Sequence, residues 1–287
     1  MIIAVLVVLG LCFGSFVNAL VWRLHEQETV NEKLEKANKA QAAKFQVRLK
    51  DLSISKGRSM CTSCGHTLAW YDLLPVVSWL SVRGKCRYCS NQISWQYPIV
   101  ELATAGLFVA SYLLWPQELA GVGLFGFIIW LPVLTAFMAL TVYDLRWFIL
   151  PNVIVYPLIA LAASQRLADS LFYGVSYVKL FESLIAAAIG GGIFYVIFQV
   201  SKGKWIGGGD VKLGYALGLL VASPFQALLL LMIASIIGLI FSLPALFSGR
   251  IKKNLEIPFG PSLIIACIIL VLFGKMIVDW YMNMLVV

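Results

Sequence analysis

Residues 121–143 read GVGLFGFIIWLPVLTAFMALTVY, an uncharged and mostly apolar run that ends immediately before Asp144. A helix that crosses the hydrocarbon core of a bilayer needs about 17–25 residues of this kind. The run is long enough to span a membrane, so it predicts a transmembrane helix with a carboxylate at its end.

Seven further apolar segments lie on either side of this run. They cover residues 1–22, 98–115, 149–165, 183–200, 211–222, 225–247 and 261–284. The composition agrees with them, because 61% of the residues are hydrophobic and 13% are charged, against about 45–50% and 25% in soluble chains. We therefore predict an all-α polytopic membrane protein with about eight transmembrane helices. Seven is the alternative count, because segment 211–222 is brief and a Ser-Pro turn follows it.

One polar stretch interrupts the apolar segments and predicts the domain organisation. Residues 1–22 form the first transmembrane helix, residues 23–97 a cytoplasmic domain, and residues 98–287 a membrane-embedded domain. The first apolar run lacks a preceding basic region and a small-x-small cleavage site, which favours a retained helix over a signal peptide. Within the polar stretch, residues 25–58 are rich in Glu, Lys, Gln and Ala, which indicates a solvated helix or a mobile spacer.

The distribution of Lys and Arg predicts the orientation in the membrane. If residues 23–97 lie in the cytoplasm, 19 of the 22 basic residues fall on the inner side, as the positive-inside rule requires. Both chain termini then face outward. The formal net charge of +8 follows from this bias and from attraction to an anionic lipid leaflet, so it does not indicate a nucleic-acid partner.

Four cysteines in the polar stretch form two C-x-x-C pairs, Cys61 with Cys64 and Cys86 with Cys89. Two such turns present four thiolates, which is the ligand set of a structural tetrahedral zinc site. A reducing cytoplasm disfavours disulfides. We therefore predict that the four cysteines bind Zn²⁺, with disulfides, a redox pair or simple burial as the alternatives.

Three further side chains of similar chemistry have simpler interpretations. Cys12 and Cys267 lie in apolar segments, where an unpaired cysteine usually packs as a small apolar residue. His66 lies close to Cys64 and is an alternative ligand, but we favour a surface position for it.

Ionisable residues are rare in and beside the apolar segments, and they are the candidates for chemistry because a charge inside a membrane is costly. The candidates are Glu101, Asp144, Asp210 and Asp279. An anchoring role at the membrane interface accounts for Asp279, which neighbours a Trp and a Tyr. The predicted orientation places Asp144 and Asp210 at the same inner face.

The neighbours of these two acids indicate a catalytic pair. Asp144 lies in YDLRWFILPN, residues 143–152, and Asp210 ends the run Gly207-Gly208-Gly209-Asp210. Glycines let an extended peptide approach the backbone without steric hindrance. Two carboxyl groups held close together share a proton, so that one can activate water while the other polarises a carbonyl group.

Each acid also has a structural interpretation. Asp210 can cap the N-terminus of a helix, where a carboxylate is favourable. Asp144 can form an ion pair with Arg146 or Lys212. Helix caps are common, so it is the occurrence of both acidic motifs in one chain that favours catalysis.

Taken together, these patterns resemble the bacterial type IV prepilin peptidases, which are intramembrane aspartyl proteases of the GxGD class. The resemblance covers essentially the whole chain and implies that Asp144 and Asp210 are the catalytic pair. The motifs that carry it are Asp144-Leu-x₅-Pro151-Asn152, Gly207-Gly208-Gly209-Asp210-Val-Lys-Leu, the two C-x-x-C pairs, Gly14-Ser-Phe-Val-Asn18 before Arg23, Tyr97-Pro98-x-x-Glu101, and Pro258-Phe-Gly-Pro261.

The resemblance also implies an activity. Such enzymes remove a short basic leader from type IV prepilins or pseudopilins, after a glycine and at the cytoplasmic face of the bacterial inner membrane. Members with the cysteine-bearing domain also N-methylate the new N-terminus with S-adenosylmethionine, for which this sequence identifies no binding residues. The chain differs from many members at Thr62, where they have proline, and in the length of segment 25–58.

Two other functional classes remain open at this stage. A zinc-bearing membrane transporter would also use intramembrane acids, and Gly190-Gly191-Gly192 would then be a hinge, although these glycines also suit a close helix contact. A non-catalytic scaffold for pilus assembly is the other class, and there both Asp144 and Asp210 would be dispensable. The sequence leaves the oligomeric state undetermined.

Overall fold

The computed structural model describes residues 1–54, 57–172, 174, 176–247 and 258–285. Helices dominate this part of the chain, and its β-structure is limited to two isolated bridges. The predicted all-α class is confirmed. The helices are α1 (Ile2–Glu35), α2 (Lys39–Asp51), α3 (Val77–Ser81), α4 (Gln96–Leu113), α5 (Gly121–Trp147), α6 (Asn152–Phe172), α7 (Tyr177–Ser201), α8 (Gly208–Val221), α9 (Pro224–Phe247) and α10 (Gly260–Leu285).

Each of the eight predicted apolar segments coincides with a helix, namely α1 and α4 to α10. Within the residues described, five of these helices are long and apolar enough to cross a membrane: α1, α5, α7, α9 and α10. Helix α8 has 14 residues and is therefore about 21 Å long at 1.5 Å per residue. It is shorter than a hydrocarbon core of about 30 Å, which agrees with the weakness of segment 211–222.

The chain divides into two compact units, Met1–Ala110 and Ser111–Val287. In the first unit, α1 continues well past Trp22 and ends at Glu35. Its polar second half packs against α2, and Leu24 and Val30 are buried. A helix-forming sequence without Gly or Pro follows Trp22, so nothing in the chain stops α1 at the end of the apolar run.

Helices α1 and α4 approach each other closely inside the first unit. A Cβ atom placed on Gly14 would lie 2.5 Å from the Cα atom of Glu101. The amide of Asn18 donates to the carbonyl oxygen of Tyr97 (3.2 Å) and accepts from the side chain of Gln96 (3.1 Å). Small residues and one satisfied amide therefore hold this pair of helices together, as is common between membrane helices.

Arg23 has a structural role at the end of the apolar run. Its guanidinium is buried and donates to the backbone carbonyl oxygens of Ser53 (2.9 Å), Ile54 (3.1 Å) and Gly57 (2.9 Å). These bonds tie the chain that follows α2 back to α1. A buried cation that is hydrogen-bonded in this way stabilises one path of the chain.

In the second unit, glycines allow α7 and α8 to touch along their backbones. A Cβ atom on Gly214 would lie 2.5 Å from the carbonyl oxygen of Gly190, and one on Gly190 would lie 2.7 Å from that of Gly214. Gly191 faces the ring of Tyr215, whereas Gly192 has open space around its Cα atom. The close-contact interpretation of Gly190 and Gly191 is confirmed.

Candidate active site and metal-binding cluster

The active-site candidate begins where α5 ends. The backbone N–H of Phe148 donates to the carbonyl oxygen of Asp144 (2.9 Å), and Phe148 adopts a left-handed conformation with φ of 56°. This residue terminates the helix one turn after Asp144, and Pro151 then precedes α6. The turn keeps the Asp144 side chain inside the unit, where 5% of the residue is exposed.

Asp144 lies at the N-terminus of α10. The backbone N–H of Gly260, the first residue of that helix, donates to Oδ2 of Asp144 at 3.0 Å. The N-terminus of a helix carries a partial positive charge, which favours a carboxylate there. A Cβ atom on Gly260 would lie 2.6 Å from the same oxygen, so only glycine permits this contact without a shift.

Asp210 lies in the first turn of α8, where its backbone N–H donates to the carbonyl oxygen of Gly207 (3.1 Å). Gly209 contacts Leu150, since a Cβ atom on Gly209 would lie 2.8 Å from Cβ of Leu150. At least one glycine of the run therefore serves a contact within the protein. Substrate approach along Gly207 and Gly208 stays a prediction.

The fold brings the two acids together in the second unit. Asp144 lies close enough to Asp210 for their carboxyl groups to interact electrostatically, although 66 positions separate the two residues in the sequence. Leu150 contacts Gly209, the neighbour of Asp210, and also lies 3.3 Å from the Cβ position of Gly260, the residue that binds Asp144. The packing of α10 against α5 and α8 creates this arrangement.

The proposed ion pairs of Asp144 do not occur among the residues that the structure describes. Lys212 instead donates to Oδ1 of Asn152 at 2.8 Å and lies over the ring of Tyr156. Arg146 lies over the ring of Trp147. Two neighbouring carboxyl groups without a basic partner can share a proton, as general acid–base chemistry on a peptide bond requires.

The four cysteines predicted as metal ligands also come together, in the first unit. The sulfur atoms of Cys61, Cys64, Cys86 and Cys89 all lie within 4.8 Å of one another, and Cys61 Sγ is 3.9 Å from Cys89 Sγ. Zinc–sulfur bonds of about 2.3 Å in a tetrahedron give sulfur–sulfur distances of about 3.8 Å. The cluster therefore fits a tetrahedral ion, and all six cysteines are free thiols.

The two cysteine turns have the same backbone structure, repeated 25 positions apart. The N–H of Cys61 donates to the carbonyl oxygen of His66, and that of Cys86 donates to Asn91. Isolated β-bridges close both turns, Met60 with Thr67 and Lys85 with Gln92. The residue after each second cysteine is left-handed, with φ of 72° at Gly65 and 59° at Ser90.

Asp72 links the second cysteine turn to the segment between the two turns. It accepts from Nε of Arg87 (3.1 Å) and from the hydroxyl of Tyr88 (2.9 Å). Its burial raises the pKa of its carboxyl group, but these two bonds and one from the backbone of Ala69 together lower that pKa below its ordinary value.

The expected burial occurs at one of the other two cysteines, and the histidine lies at the surface as expected. Cys267 is buried, whereas Cys12 is exposed on an apolar helix. His66 is exposed and stacks on Tyr88 with ring centroids 3.7 Å apart. The cluster of ligand atoms does not include it.

Comparison with known proteins identifies the family. The family model described as the Bacterial Peptidase A24 N-terminal domain matches residues 8–115, and that of the Type IV leader peptidase family matches residues 130–243. A prepilin leader peptidase/N-methyltransferase from Bacillus subtilis (strain 168) is 32% identical over 239 residues, which are 81% of this chain and 88% of the relative. The chain belongs to the prepilin leader peptidase family.

Other members of the family match over similar lengths. The prepilin leader peptidase/N-methyltransferase of Vibrio cholerae is 31% identical and is matched over 91% of this chain and 93% of its own length. The protein of the same description from Pseudomonas aeruginosa is 31% identical and is matched over 96% of this chain and 92% of its own length. No solved structure matches the chain significantly. With its five long apolar helices, this family member is a multi-pass inner-membrane protein, and the predicted resemblance is confirmed.

Two residues of the site were not singled out individually by sequence reasoning, Leu150 and Gly260. Both lie inside motifs that carried the family resemblance, so the signal was present without a role attached to it. Their roles depend on contacts with Asp144 and Gly209, and no local pattern encodes those contacts.

Proposed function

We propose that this protein is a membrane endopeptidase that removes the basic leader from type IV prepilins or pseudopilins, with Asp144 and Asp210 as its catalytic pair. The observation that carries this proposal is the meeting of two acids from different helices, one of them bound by the N-terminus of α10. The names of the relatives support the substrate class.

The proposed reaction uses both carboxyl groups and one water molecule. One carboxylate removes a proton from water as the water oxygen attacks the scissile carbonyl, while the other carboxyl group polarises the carbonyl oxygen. Because the pair shares one proton, the two groups titrate as a unit, and neither aspartate is assigned the role of base or of acid. The bond from Gly260 holds Oδ2 of Asp144, which leaves Oδ1 of Asp144 for water or substrate.

Two further parts of the proposal concern the other domain and its chemistry. Cys61, Cys64, Cys86 and Cys89 would hold a structural zinc ion, which supplies cohesion to a domain with little apolar core. N-methylation of the new N-terminus with S-adenosylmethionine is supported by the double name of the relatives. No residue is assigned to the methyl donor.

The proposed topology places the polar residues 23–97 in the cytoplasm and both termini outside. The excess of Lys and Arg on that side supports it. Residues 98–287 would form the protease domain in the lipid bilayer. The apolar helix of the prepilin would lie in the bilayer while its basic leader stays in the cytoplasm.

The test compares cleavage of a prepilin in liposomes by the wild type, Asp144→Asn and Asp210→Asn. The amide keeps the shape of the carboxyl group but cannot share the proton, so both variants are expected to lose cleavage while keeping the wild-type melting temperature. Asp279→Asn is the matched control, because Asp279 is exposed on α10 and should be dispensable. Retained cleavage in either of the first two variants would refute the aspartyl pair, whereas absence of cleavage by the wild type would favour the non-catalytic scaffold.

A further inference from the structure

The segment that joins the two cysteine turns is unusually apolar for a polar domain. Residues 68–81, here called the connecting segment, read LAWYDLLPVVSWLS and contain Asp72 as their one charged side chain. Several of the large apolar side chains point outward, with Trp70 75% exposed and both Val77 and Leu80 61% exposed. Contiguous exposed apolar residues usually mark a surface that contacts another phase or molecule.

A buried acid of α4 binds the middle of the connecting segment. The backbone N–H of Val76 donates to Oε2 of Glu101 at 2.7 Å, and 5% of Glu101 is exposed. Val76 has φ of 60° and ψ of −49°, the strained centre of a γ-turn, which is rare for a β-branched residue and persists only where surrounding contacts impose it. The segment is therefore held at the level of Glu101 along α4.

Glu101 lies in the part of the first unit that faces the membrane. Glu101 packs against Gly14 in α1, a helix that is long and apolar enough to cross a membrane. The side chains around this contact face outward and are apolar: Phe13, Phe16, Ile99 and Leu102. A surface of this composition on a membrane-spanning helix faces lipid.

The rise per residue of α1 gives the depth of the connecting segment below the end of the apolar run. A glutamate on a helix points toward the helix N-terminus, so the carboxylate of Glu101 lies near the level where Asn18 meets Tyr97. Arg23, the first charged residue after the apolar run of α1, is five residues beyond Asn18, which is about 7.5 Å at 1.5 Å per residue. Interfacial segments lie at about this depth, roughly 5–10 Å into the boundary between headgroups and acyl chains.

The one charged side chain of the connecting segment is bound within the protein. Asp72 accepts from Arg87 and Tyr88 of the second cysteine turn, and its side chain is 8% exposed. The exposed part of the segment is therefore apolar and includes Trp70. Tryptophan is enriched at membrane interfaces because its ring is apolar and its N–H is polar.

We propose that the connecting segment inserts its apolar side chains into the lipid bilayer beside α1 and α4, and so holds the four-cysteine cluster at the membrane surface. Glu101 is the positioning residue, because its carboxylate binds the backbone of Val76. The occupant of this surface is phospholipid, since the segment is continuous with a lipid-facing belt and carries no exposed charge that would select a protein. The inference does not depend on the proposed proteolysis.

The test measures lipid contact at Val77 and at a matched control. The full-length protein, with p-benzoylphenylalanine at position 77 or at position 47, is reconstituted in liposomes of phosphatidylethanolamine and radiolabelled phosphatidylglycerol and then irradiated. Val47 lies on the polar helix α2 and is 60% exposed, so the two positions differ in location rather than in accessibility. Position 77 is expected to form about fivefold more lipid adduct than position 47, as an interfacial segment would.

Two variants test the role of Glu101. Glu101→Ala removes the acceptor of the Val76 N–H and is expected to lower the adduct at position 77 toward that at position 47. Glu101→Gln keeps an oxygen acceptor and is expected to restore the wild-type yield. An unchanged yield in Glu101→Ala would overturn the positioning role.

The proposal itself is overturned if positions 77 and 47 form equal amounts of lipid adduct. It is also overturned if position 77 reacts with an added prepilin and not with lipid, because the surface would then bind substrate. The substitution at position 77 lies on an exposed side chain, and monodisperse elution with the wild-type metal content confirms that this protein is folded. A second measurement uses lipids with brominated acyl chains. These lipids should quench the tryptophan fluorescence of the wild type more than that of Trp70→Phe.

Discussion

The position of Asp144 allows its carboxylate to cap a helix and also to pair with a second acid. Its carboxylate accepts the first N–H of α10, as a capping side chain does at a helix N-terminus. Capping alone does not require a second carboxyl group nearby, yet the carboxyl group of Asp210 lies within electrostatic range of Asp144. The cap is therefore best interpreted as the device that orients Asp144 toward its partner.

Gly260→Ala tests this orientation. The added Cβ atom would lie 2.6 Å from Oδ2 of Asp144, so the carboxylate must move. Misplacement of a catalytic group by about 1 Å costs on the order of 100-fold in rate, and a fall of that size in kcat/KM for prepilin cleavage is expected. Gly192→Ala is the control, since a Cβ atom there meets nothing within 4 Å. Wild-type cleavage by Gly260→Ala would contradict the role given to this glycine.

The repeated cysteine turns predict the effect of Ser90→Gly. Ser90 has φ of 59° at the position where the first turn has Gly65, and an L-residue in this conformation costs about 1–2 kcal/mol. Replacement by glycine is expected to stabilise the turn by up to about 1 kcal/mol, because glycine also loses more backbone entropy on folding. The measurement is the rate at which a chelator extracts the metal. Faster extraction from Ser90→Gly than from the wild type would disprove this account.

At the scale of elements, the contact between α7 and α8 positions α8, and Asp210 lies in the first turn of that helix. Gly190 and Gly214 bring the two backbones together, and Gly218 repeats the contact one turn later against Ala186. The apolar surfaces of membrane helices gain little from each other in lipid, so close packing of small residues supplies the association. Any side chain at these positions separates the helices.

Gly214→Ala is accordingly expected to destabilise the second unit. A methyl group forced into a packed contact usually costs about 1–3 kcal/mol, and its carbon would lie 2.5 Å from a backbone oxygen that cannot move independently. Thermal unfolding in detergent, followed by circular dichroism, measures the loss. Gly192→Ala on the same helix pair should keep or raise the midpoint, and equal midpoints for the two variants would contradict the contact.

The termination of α5 is a second feature at this scale. Helices often end on a left-handed residue, which is usually glycine, and here it is Phe148. This conformation is imposed by the packing of the following residues, Leu150 and Pro151, both of which are buried. The turn places Leu150 against Gly209 and Gly260, and so connects three segments of the site.

At the scale of the whole molecule, the four-cysteine cluster and the acid pair belong to different units. Removal of the metal is therefore expected to unfold the cysteine turns without loss of the contacts between α7 and α8. Binding free energy of a structural metal is folding free energy, and the turns have only isolated bridges of their own. Hydrogen exchange should show lost protection in residues 59–93 after chelation.

Cys86→Ser should reproduce the effect of chelation, with loss of stoichiometric metal. Cys12→Ser is its matched control, because Cys12 lies in α1 and outside the cluster. Metal analysis and hydrogen exchange, measured on the same samples, check the expectations for the two variants. Freshly purified wild-type protein without zinc, or full protection in Cys86→Ser, would remove the structural zinc from the proposed function.

The sequence predicted most of the helical architecture because apolar runs and polar breaks are local properties. All eight segments appear as helices, and the four cysteines form one cluster as their spacing indicated. The end of α1 was less predictable, since the helix continues through a polar sequence that has no stop signal before Glu35. Apolarity marks where a helix leaves the membrane and not where the helix ends.

By itself, the sequence determined the membrane class, the four cysteines as candidate ligands and the choice of Asp144 and Asp210 as candidates, because each depends on residue type and short spacing. Only the tertiary structure decided that Gly260 meets Asp144 across 116 positions, that Leu150 packs against Gly209 and Gly260, and that Glu101 binds Val76. Such contacts arise when helices pack, and packing depends on the fit of distant surfaces that no local pattern encodes.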